Sequence, residues 1–285
     1  MHKILLKTRL SENVFRMEVE APLVARERRA GQFVILMVDP EMGERIPLTI
    51  ADADPVRGTI TLIFQSVGAT TMRLAAMEPG QELPAILGPL GRPTEIRGEN
   101  GEAPGRVVCV GGGIGVAPLH PIAQALKAAG NQVTIIMGAR TKELFVMEEE
   151  MRKIAGDRLI LITDDGSSGR KGLVTEPLKE LCQRGEVDEA IVIGPPVMMK
   201  FCALTTKPFQ VKTVASLNTI MIDGTGMCGG CRVTVGGKTR FVCVDGPEFD
   251  AHQVEWDQMI RRAASFRPQE AEARNHICKA GIFTK

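Results

Sequence analysis

The chain has 285 residues, the size of one large domain or two ordinary ones. Its net charge of +1 and charged fraction of 24% argue against a nucleic-acid binder or a polybasic membrane protein. No apolar run approaches the ~18 residues of a membrane-spanning helix, and the charged segment 1–10 does not have the pattern of a signal peptide. The sequence therefore predicts a cytoplasmic protein.

The first part of the chain has a β pattern. Apolar segments 32–38, 59–65 and 82–87 are separated by turns rich in glycine and proline. Short strands at this spacing are typical of a small barrel or sandwich. We predict a first domain over residues 1–98, because the polar, glycine-rich segment 97–105 has the composition of a linker.

From residue 106 the pattern alternates between strands and helices. The predicted strands are 106–110, 132–137, 159–163 and 190–193, and the predicted helices are 119–129, 143–154 and 175–184. This alternation predicts a doubly wound parallel sheet over residues 104–215. A segment rich in cysteine and glycine follows at 216–250, and a charged tail at 251–285 is expected to begin as a helix.

A glycine-rich turn, GGGIGVAP over residues 111–118, follows the first of these strands. Glycines allow backbone N–H groups to approach a pyrophosphate, and the following helix N-terminus favours negative charge. Pro118 suits a first helical turn, where its missing N–H is not needed. A tight turn without a ligand is the alternative. Asp165, Gly194 and Met198 follow two later strands, at the sheet edge where ligands bind.

The first domain contains a polar motif on a predicted edge strand, Arg45-Ile-Pro47-Leu48-Thr49. An arginine is suited to bind a diphosphate, and a threonine hydroxyl can form a hydrogen bond with a flavin edge. On these residues alone, an edge strand with a surface arginine is the favoured interpretation. The turn Gly68-Ala-Thr70-Thr71 follows the next strand.

In this order, the motifs resemble those of ferredoxin-reductase-like flavoproteins, in which an FAD-binding antiparallel β-barrel precedes a nicotinamide-nucleotide domain. The resemblance implies FAD contacts at Arg45, Pro47, Leu48, Thr49, Gly68, Thr70 and Thr71, with Thr49 near flavin N5. It implies nucleotide contacts at Gly112, Gly113, Gly115, Ala117, Pro118, Asp165, Gly194 and Met198. Leu48 stands where many relatives place tyrosine. No acid–base residue is implied, because the cofactors carry the hydride chemistry.

The cysteine segment has the spacing Asp223-x4-Cys228-x2-Cys231-x11-Cys243. This is the spacing of a plant-type [2Fe–2S] loop with aspartate in place of the first cysteine. Three interpretations remain open: a [2Fe–2S] cluster with Asp223 as fourth ligand, a structural zinc site, or thiols in a glycine-rich turn. The isolated cysteines at 109, 182 and 202 are expected to be buried, and Cys278 is left unassigned.

Barrel, nucleotide domain and small C-terminal cluster subdomain together resemble two groups of electron-transfer subunits. One serves dihydroorotate dehydrogenase and normally has four cysteine ligands. The other is the small subunit of electron-bifurcating NADH-dependent ferredoxin:NADP oxidoreductase, related to sulfide dehydrogenase, which has an aspartate in place of one cysteine. Asp223 and the long tail favour the second group.

This resemblance implies FAD, a [2Fe–2S] cluster and NAD(H) as cofactors, with NADP(H) also possible. It implies a heterodimer with a larger subunit that carries FAD and [4Fe–4S] clusters and binds NADP(H) and ferredoxin. Hydride would pass between NAD(H) and FAD, and single electrons between FAD and the partner through the cluster. The alternatives are the dihydroorotate dehydrogenase subunit, a stand-alone NAD(P)H reductase, and a non-enzymatic binding module that contains zinc.

Overall fold

A computed structural model describes residues 1–41, 44–99 and 101–279, with side chains to residue 276. The first domain is a nearly closed sheet of seven antiparallel strands, in the order β6-β1-β2-β5-β4-β3-β7. Its elements are β1 (His2–Arg9), β2 (Val14–Glu20), α1 (Pro22–Glu27), β3 (Phe33–Met37), β4 (Arg45–Asp54), β5 (Thr59–Gln65), α2 (Ala69–Ala76), β6 (Glu82–Leu83) and β7 (Ala85–Leu90). The predicted antiparallel barrel is confirmed.

Successive side chains along a strand point to opposite faces of the sheet, and those that point inward form the barrel core. Ile4, Met17, Leu36, Ile60 and Leu62 point inward and have no exposed surface. β2 and β5 pair along their whole lengths, from Val14 opposite Gln65 to Glu20 opposite Thr59. β4 pairs with β5 only from Ile50 onward, so its first residues, Arg45–Thr49, pair with β3 alone.

The second domain is a parallel sheet with helices on both faces. Its elements are β8 (Arg106–Gly112), α3 (Val116–Ala128), β9 (Gln132–Ala139), α4 (Glu148–Ala155), β10 (Leu159–Thr163), β11 (Arg170–Lys171), α5 (Thr175–Gln183), β12 (Glu189–Ile193), α6 (Pro196–Thr206) and β13 (Lys212–Ser216). The parallel strands lie in the order β11-β10-β9-β8-β12-β13, so the order reverses between β8 and β12. Ligands bind at such a reversal in doubly wound sheets.

The helix predicted over 143–154 begins later than expected. A short 3₁₀ turn covers Lys142–Leu144, and Met147 then has a φ of 60° in the left-handed region. α4 therefore starts at Glu148, and its first turn carries three glutamates, which favours a helix N-terminus.

The C-terminal part combines a hairpin, a returning strand and two helices. Its elements are β14 (Arg232–Val235), β15 (Lys238–Phe241), α7 (Val242–Asp245), β16 (Glu248–Asp250), α8 (Trp256–Ala263) and α9 (Arg267–Lys279). β16 pairs antiparallel with β13 and so extends the sheet of the second domain. α8 packs against α6 and β14, with Trp256 and Met259 buried. Within the described ranges, no helix is long and apolar enough to cross a membrane.

Three hydrogen bonds tie the segment before β16 to the rest of the chain. Arg92 donates from its backbone to Gly246 O at 2.6 Å, and Leu217 donates to Pro247 O at 2.9 Å. The Thr94 hydroxyl donates to Glu248 Oε1 at 2.7 Å. Burial, reinforced by Glu189 and Glu95, raises the pKa of Glu248 to about 7.

This buried carboxyl makes stability depend on pH. Between pH 4.5 and about 7, folded Glu248 keeps its proton while unfolded Glu248 has lost it. The contribution of Glu248 to the stability of the folded state is therefore complete below about pH 4.5 and is lost as pH rises through 7. We expect a loss of up to about 3 kcal/mol in the free energy of unfolding over this range. Glu248→Gln should remove this pH-dependent loss in urea unfolding at pH 5 and pH 8. The exposed-site control Glu149→Gln should retain it, and an unchanged pH dependence in Glu248→Gln would refute the assignment.

Candidate functional site

The barrel and the parallel sheet enclose a cavity of about 1070 Å³ at the carboxyl ends of the sheet strands. This exceeds the roughly 300–1,000 Å³ typical of small-molecule pockets. Ten of the predicted cofactor residues line it: Pro47, Leu48, Thr49, Thr71, Gly112, Gly113, Gly115, Pro118, Gly194 and Met198. The motifs of both domains therefore meet at one site, which has space for more than one small ligand.

Three of the four glycines of the GGGIGVAP turn, Gly112, Gly113 and Gly115, have different roles. A Cβ on Gly115 would lie 2.4 Å from Ile193 O, so the start of α3 packs directly on the end of β12. A Cβ on Gly112 would lie 2.4 Å from Met198 Sδ. Gly113 has a φ of +55° and nothing within 4 Å of a Cβ position. Gly113 is thus the glycine that leaves open space for a ligand, while the other two permit close packing.

Close packing also explains Gly194 and Met198. A Cβ on Gly194 would lie 3.1 Å from Gly112 Cα, so the ends of β8 and β12 approach closely where the strand order reverses. The Met198 thioether lies over this contact and lines the cavity. The floor of the cavity is therefore backbone and one flexible apolar side chain, which suits a flat ring.

The barrel side of the cavity is mainly apolar, with two hydroxyls, from Thr49 and Thr71, and two amides, from Asn13 and Gln65. Thr49 on β4 lines it opposite Phe33, and Leu48 lies beside them. Phe64 and Phe201 also line the cavity. No tyrosine exists in the chain, so these phenylalanines and Leu48 are the side chains available to cover a flavin ring.

The first turn of α2 contains a buried hydroxyl, that of Thr70, for which the described residues provide no hydrogen-bond partner. The Thr71 hydroxyl accepts the Gly68 N–H at 3.0 Å and donates to Gly68 O at 3.0 Å, so it shapes the helix start. The Thr70 hydroxyl is buried, and within the described residues it has no hydrogen-bond partner. A buried hydroxyl without a partner is costly. Thr70 itself does not line the cavity, but its neighbour Thr71 does.

Five predicted cofactor residues do not line the cavity: Arg45, Gly68, Thr70, Ala117 and Asp165. Ala117 is buried in the core against the sheet. Asp165 accepts hydrogen bonds from the Ser167 hydroxyl and backbone N–H, which lower its pKa. Asp164 lines the cavity instead. The acidic turn thus places the earlier of its two aspartates at the site.

The cysteine segment brings two of its thiols together. Cys231 Sγ and Cys243 Sγ lie 3.2 Å apart and both residues are buried, whereas Cys228 is exposed. The loop rests on the barrel, because a Cβ on Gly224 would lie 2.7 Å from both Ile35 and Leu90. Within the described part of the chain, no three His, Cys, Asp or Glu side chains are close enough together to hold a metal ion as they stand. The exposed Cys228 thiol thus stands apart from the buried thiol pair.

Asp223 is connected to this loop by hydrogen bonds. Its carboxylate accepts the Thr225 N–H and the Cys228 N–H, each at 2.7 Å, and the Thr225 bond is the main cause of its lowered pKa. The group is therefore an anion near Cys228 and has lone pairs left for a ligand role. Burial, with the adjacent Cys231 thiol adding to it, raises the pKa of Cys243 to about 12. Three thiol groups and one carboxylate on a glycine-rich loop fit an iron–sulfur cluster chemically.

Several cavity residues were not predicted from the sequence. Asn218, Thr219, Met221 and Pro247 reach the cavity from the segments that flank the cluster loop. The Thr219 hydroxyl is buried without a partner among the described residues. No local motif marks these residues, because the return of β16 to β13 places them at the site.

Comparisons with known proteins agree with this geometry. An oxidoreductase NAD-binding domain model matches residues 109–203, and the iron–sulfur cluster binding domain of dihydroorotate dehydrogenase B matches residues 218–255. A "Dihydroorotate dehydrogenase B (NAD(+)), electron transfer subunit homolog" of Thermotoga maritima is 46% identical over 95% of this chain and 93% of that protein. The electron transfer subunit of Desulforamulus reducens is 33% identical over 90% of this chain and 97% of its own length.

Two solved structures extend the comparison. A chain of an NADH-dependent reduced ferredoxin-NADP oxidoreductase, described in terms of flavin-based electron bifurcation, has 44% identity and a TM-score of 0.90 over 98% of both chains. An Amycolatopsis cytochrome P450 reductase shares the fold, with 21% identity and a TM-score of 0.61 over 74% of this chain and 66% of its own.

The resemblance to ferredoxin-reductase-like flavoproteins is therefore confirmed, as is the assignment as an oxidoreductase subunit. The predicted cofactors, namely FAD, a [2Fe–2S] cluster and a nicotinamide nucleotide, agree with the matched domains. The chain belongs to the family of dihydroorotate dehydrogenase B electron-transfer subunits and their homologues.

Proposed function

We propose that the chain is the small electron-transfer subunit of a bifurcating NADH-dependent ferredoxin:NADP oxidoreductase. The observation that carries this proposal is the end-to-end similarity to a chain of such an enzyme, at 44% identity and a TM-score of 0.90. Asp223 supports it, because an aspartate in the first ligand position is the feature that separates this group from the four-cysteine subunits.

The chain's own residues would position two cofactors face to face. The turn at Gly112, Gly113 and Gly115 would bind NAD(H), with Pro118, Gly194 and Met198 beside it. Ala117 would support the turn from the core, and Asp165 would act only by shaping the turn that places Asp164 at the cavity. On the barrel, Arg45 would bind the FAD diphosphate and Thr49 would form a hydrogen bond near flavin N5. Leu48, Phe64 and Phe201 would exclude water from the space between them. When bound, FAD would exchange hydride with NAD(H), and the cluster would carry single electrons.

The cluster ligands would be Asp223, Cys228, Cys231 and Cys243. The partner would be a larger subunit with FAD and [4Fe–4S] clusters that binds NADP(H) and ferredoxin. Its contact surface would lie at the cluster loop, where Ile222 is 53% exposed and Met227 is 89% exposed. Exposed apolar side chains beside an exposed ligand favour a protein contact there.

The domain division that accompanies this proposal follows the cofactors. Residues 1–98 would form the FAD-binding barrel, residues 104–215 the nucleotide domain, residues 216–250 the cluster segment and residues 251–285 the helical tail. The pairing of β16 with β13 joins the cluster segment to the nucleotide domain, so the two are expected to unfold together.

The second candidate is the electron-transfer subunit of NAD-dependent dihydroorotate dehydrogenase. The match of residues 218–255 to the cluster domain of that enzyme favours it. A reconstitution experiment separates the two. The chain is combined either with a larger FAD/[4Fe–4S] subunit or with a dihydroorotate dehydrogenase catalytic subunit. The proposal predicts NADP⁺ reduction that needs both NADH and reduced ferredoxin in the first mixture, and no dihydroorotate-dependent NAD⁺ reduction in the second. Dihydroorotate-dependent NAD⁺ reduction in the second mixture, with no NADP⁺ reduction in the first, would support the second candidate.

A variant that removes the Thr70 hydroxyl provides a separate test of the FAD site. Thr70→Val removes a buried hydroxyl that has no partner in the chain, so we expect the FAD-free protein to keep its stability or gain up to about 1 kcal/mol. FAD affinity should fall about tenfold, equal to one lost hydrogen bond of about 1.4 kcal/mol. Thermal unfolding of the FAD-free protein and fluorescence titration with FAD measure the two effects. A destabilised FAD-free protein with normal FAD affinity would contradict the placement of Thr70.

A further inference from the structure

A second cavity lies at the opposite end of β12 and β13 from the cofactor cavity. It has a volume of about 700 Å³. Glu189 and Lys212, the first residues of those strands, line it together with Glu248 of β16 and with Thr94 and Glu95 from the end of the barrel. Four segments that are separate in the sequence thus contribute polar groups to one cavity.

Glu189 is the most deeply buried of these groups, with a relative exposure of 1%. One carboxylate oxygen, Oε1, lies 3.0 Å from Lys212 Nζ. The other, Oε2, is buried, and within the described residues it has no hydrogen-bond partner. Leaving a buried charged oxygen without a partner costs roughly 1–3 kcal/mol or more. A hydrogen-bond donor that enters the cavity would remove this cost.

Gly31 leaves space for the hydrogen bond between Thr94 and Glu248. A Cβ on Gly31 would lie 2.2 Å from Thr94 Oγ1 and 3.0 Å from Glu248 Oε1, and Gly31 has a φ of +82°. Only glycine suits both this conformation and this space. The threonine donates to Oε1 of Glu248, and within the described residues no hydrogen bond or ion pair is formed by its Oε2.

The charge of the lining is negative. Five carboxylates line the cavity, from Glu95, Glu189, Asp245, Glu248 and Asp250, against three cationic side chains, those of Arg92, Lys207 and Lys212, and one imidazole, that of His252. Lys212 is paired with Glu189, and Arg92 lies 3.9 Å from Asp245. Among the described residues, no ion pair involves Glu95, Glu248 or Lys207. The unpaired charges therefore sum to an excess of carboxylate.

We propose that this cavity binds a small organic cation, whose ammonium or guanidinium N–H groups donate to Glu189 and Glu248. The volume is far larger than a metal ion needs, and the described residues offer no set of three metal-binding side chains close enough together. N–H donors to carboxylates are charge-assisted and about twice as strong as neutral hydrogen bonds. Because the cavity joins the barrel to the sheet, a bound cation would link the two domains.

Calorimetric titration of the cofactor-loaded protein with agmatine, which carries both an ammonium and a guanidinium group, tests the proposal. We expect saturable binding at one site. Glu189→Gln and Glu248→Gln should each weaken it at least tenfold. Lys212→Met should strengthen it, because the cation then has no competitor for Glu189. Glu149→Gln, on the exposed first turn of α4, makes the same change in net charge and should leave the affinity unchanged.

The pH dependence provides a second readout. Burial, with Glu189 and Glu95 adding to it and the Thr94 hydrogen bond and Lys212 opposing it, raises the pKa of Glu248 to about 7. Agmatine affinity should therefore fall as pH decreases from 8 to 6, and Glu248→Gln should lose this dependence. Glutamine can still accept the Thr94 hydrogen bond, so this variant is expected to fold.

Absence of saturable binding at millimolar agmatine would overturn the proposal. An equal loss of affinity in Glu149→Gln, or a weaker affinity in Lys212→Met, would also overturn it. Flavin and iron contents are measured on the same samples. Because neither depends on this cavity, failure of this proposal is distinguishable from failure of the proposed electron-transfer function.

Discussion

Asp223→Ala is expected to abolish stable binding of the [2Fe–2S] cluster. If Asp223 is the fourth ligand, alanine leaves three thiolates and one iron with an open position. Iron content should fall from about two per chain to well below one, and the cluster absorption should disappear. The FAD content should stay unchanged, because Asp223 lies on a loop that does not line the cofactor cavity.

The structure requires controls for this variant, because Asp223 also accepts hydrogen bonds from the Thr225 and Cys228 N–H groups. Asp223→Asn keeps an acceptor for the loop but removes the negative charge, and it should lose most of the cluster. Asp223→Cys restores a four-thiolate set and should retain about two irons with an altered spectrum. If alanine and asparagine both retain a normal cluster, Asp223 is only a turn residue.

Gly115→Ala is expected to disrupt the nucleotide site by distorting the backbone. The new Cβ would lie 2.4 Å from Ile193 O and 2.9 Å from Gly194 Cα, and neither is a side chain that can rotate away. Separating α3 from β12 should cost about 1–3 kcal/mol of stability. NADH affinity should fall at least tenfold, because the glycine turn is displaced from the sheet edge. Urea unfolding and flavin bleaching by NADH measure the two effects.

Gly113→Ala is the matched comparison for this variant. Its Cβ would have nothing within 4 Å, so the cost is limited to the φ of +55°, about 1–2 kcal/mol. We expect a smaller loss of stability than in Gly115→Ala and a clear loss of NADH affinity, because the methyl group faces the open space at the cavity. Normal NADH affinity in both variants would contradict the placement of the nucleotide at this turn.

The sequence predicted those parts of the molecule that depend on local patterns. The alternation of strands and helices after residue 106 and the glycine turn both correspond to observed elements. The predicted helix at 143–154 was too long at its N-terminal end, because Met147 adopts a left-handed conformation that no local pattern requires. β1 and β2 were not assigned, because charged residues interrupt the apolar runs from which the other barrel strands were predicted.

The parts that could not be predicted depend on contacts between distant segments. The pairing of β16 with β13 brings Pro247 to the cofactor cavity and Glu248 to the second cavity. The different roles of Gly113 and Gly115 become clear only when the end of β12 lies beside the turn. Likewise, spacing identified the four candidate cluster ligands, but the structure was needed to show that Cys231 and Cys243 are adjacent while Cys228 is exposed.

An anaerobic absorption spectrum of the purified chain, before and after addition of NADH, tests the central claim most directly. Flavin, iron and zinc are quantified on the same sample. The electron-transfer function predicts about one FAD and two irons per chain, flavin bleaching by NADH, and little zinc. A colourless protein that holds zinc and remains colourless after reconstitution with FAD, iron and sulfide would contradict it.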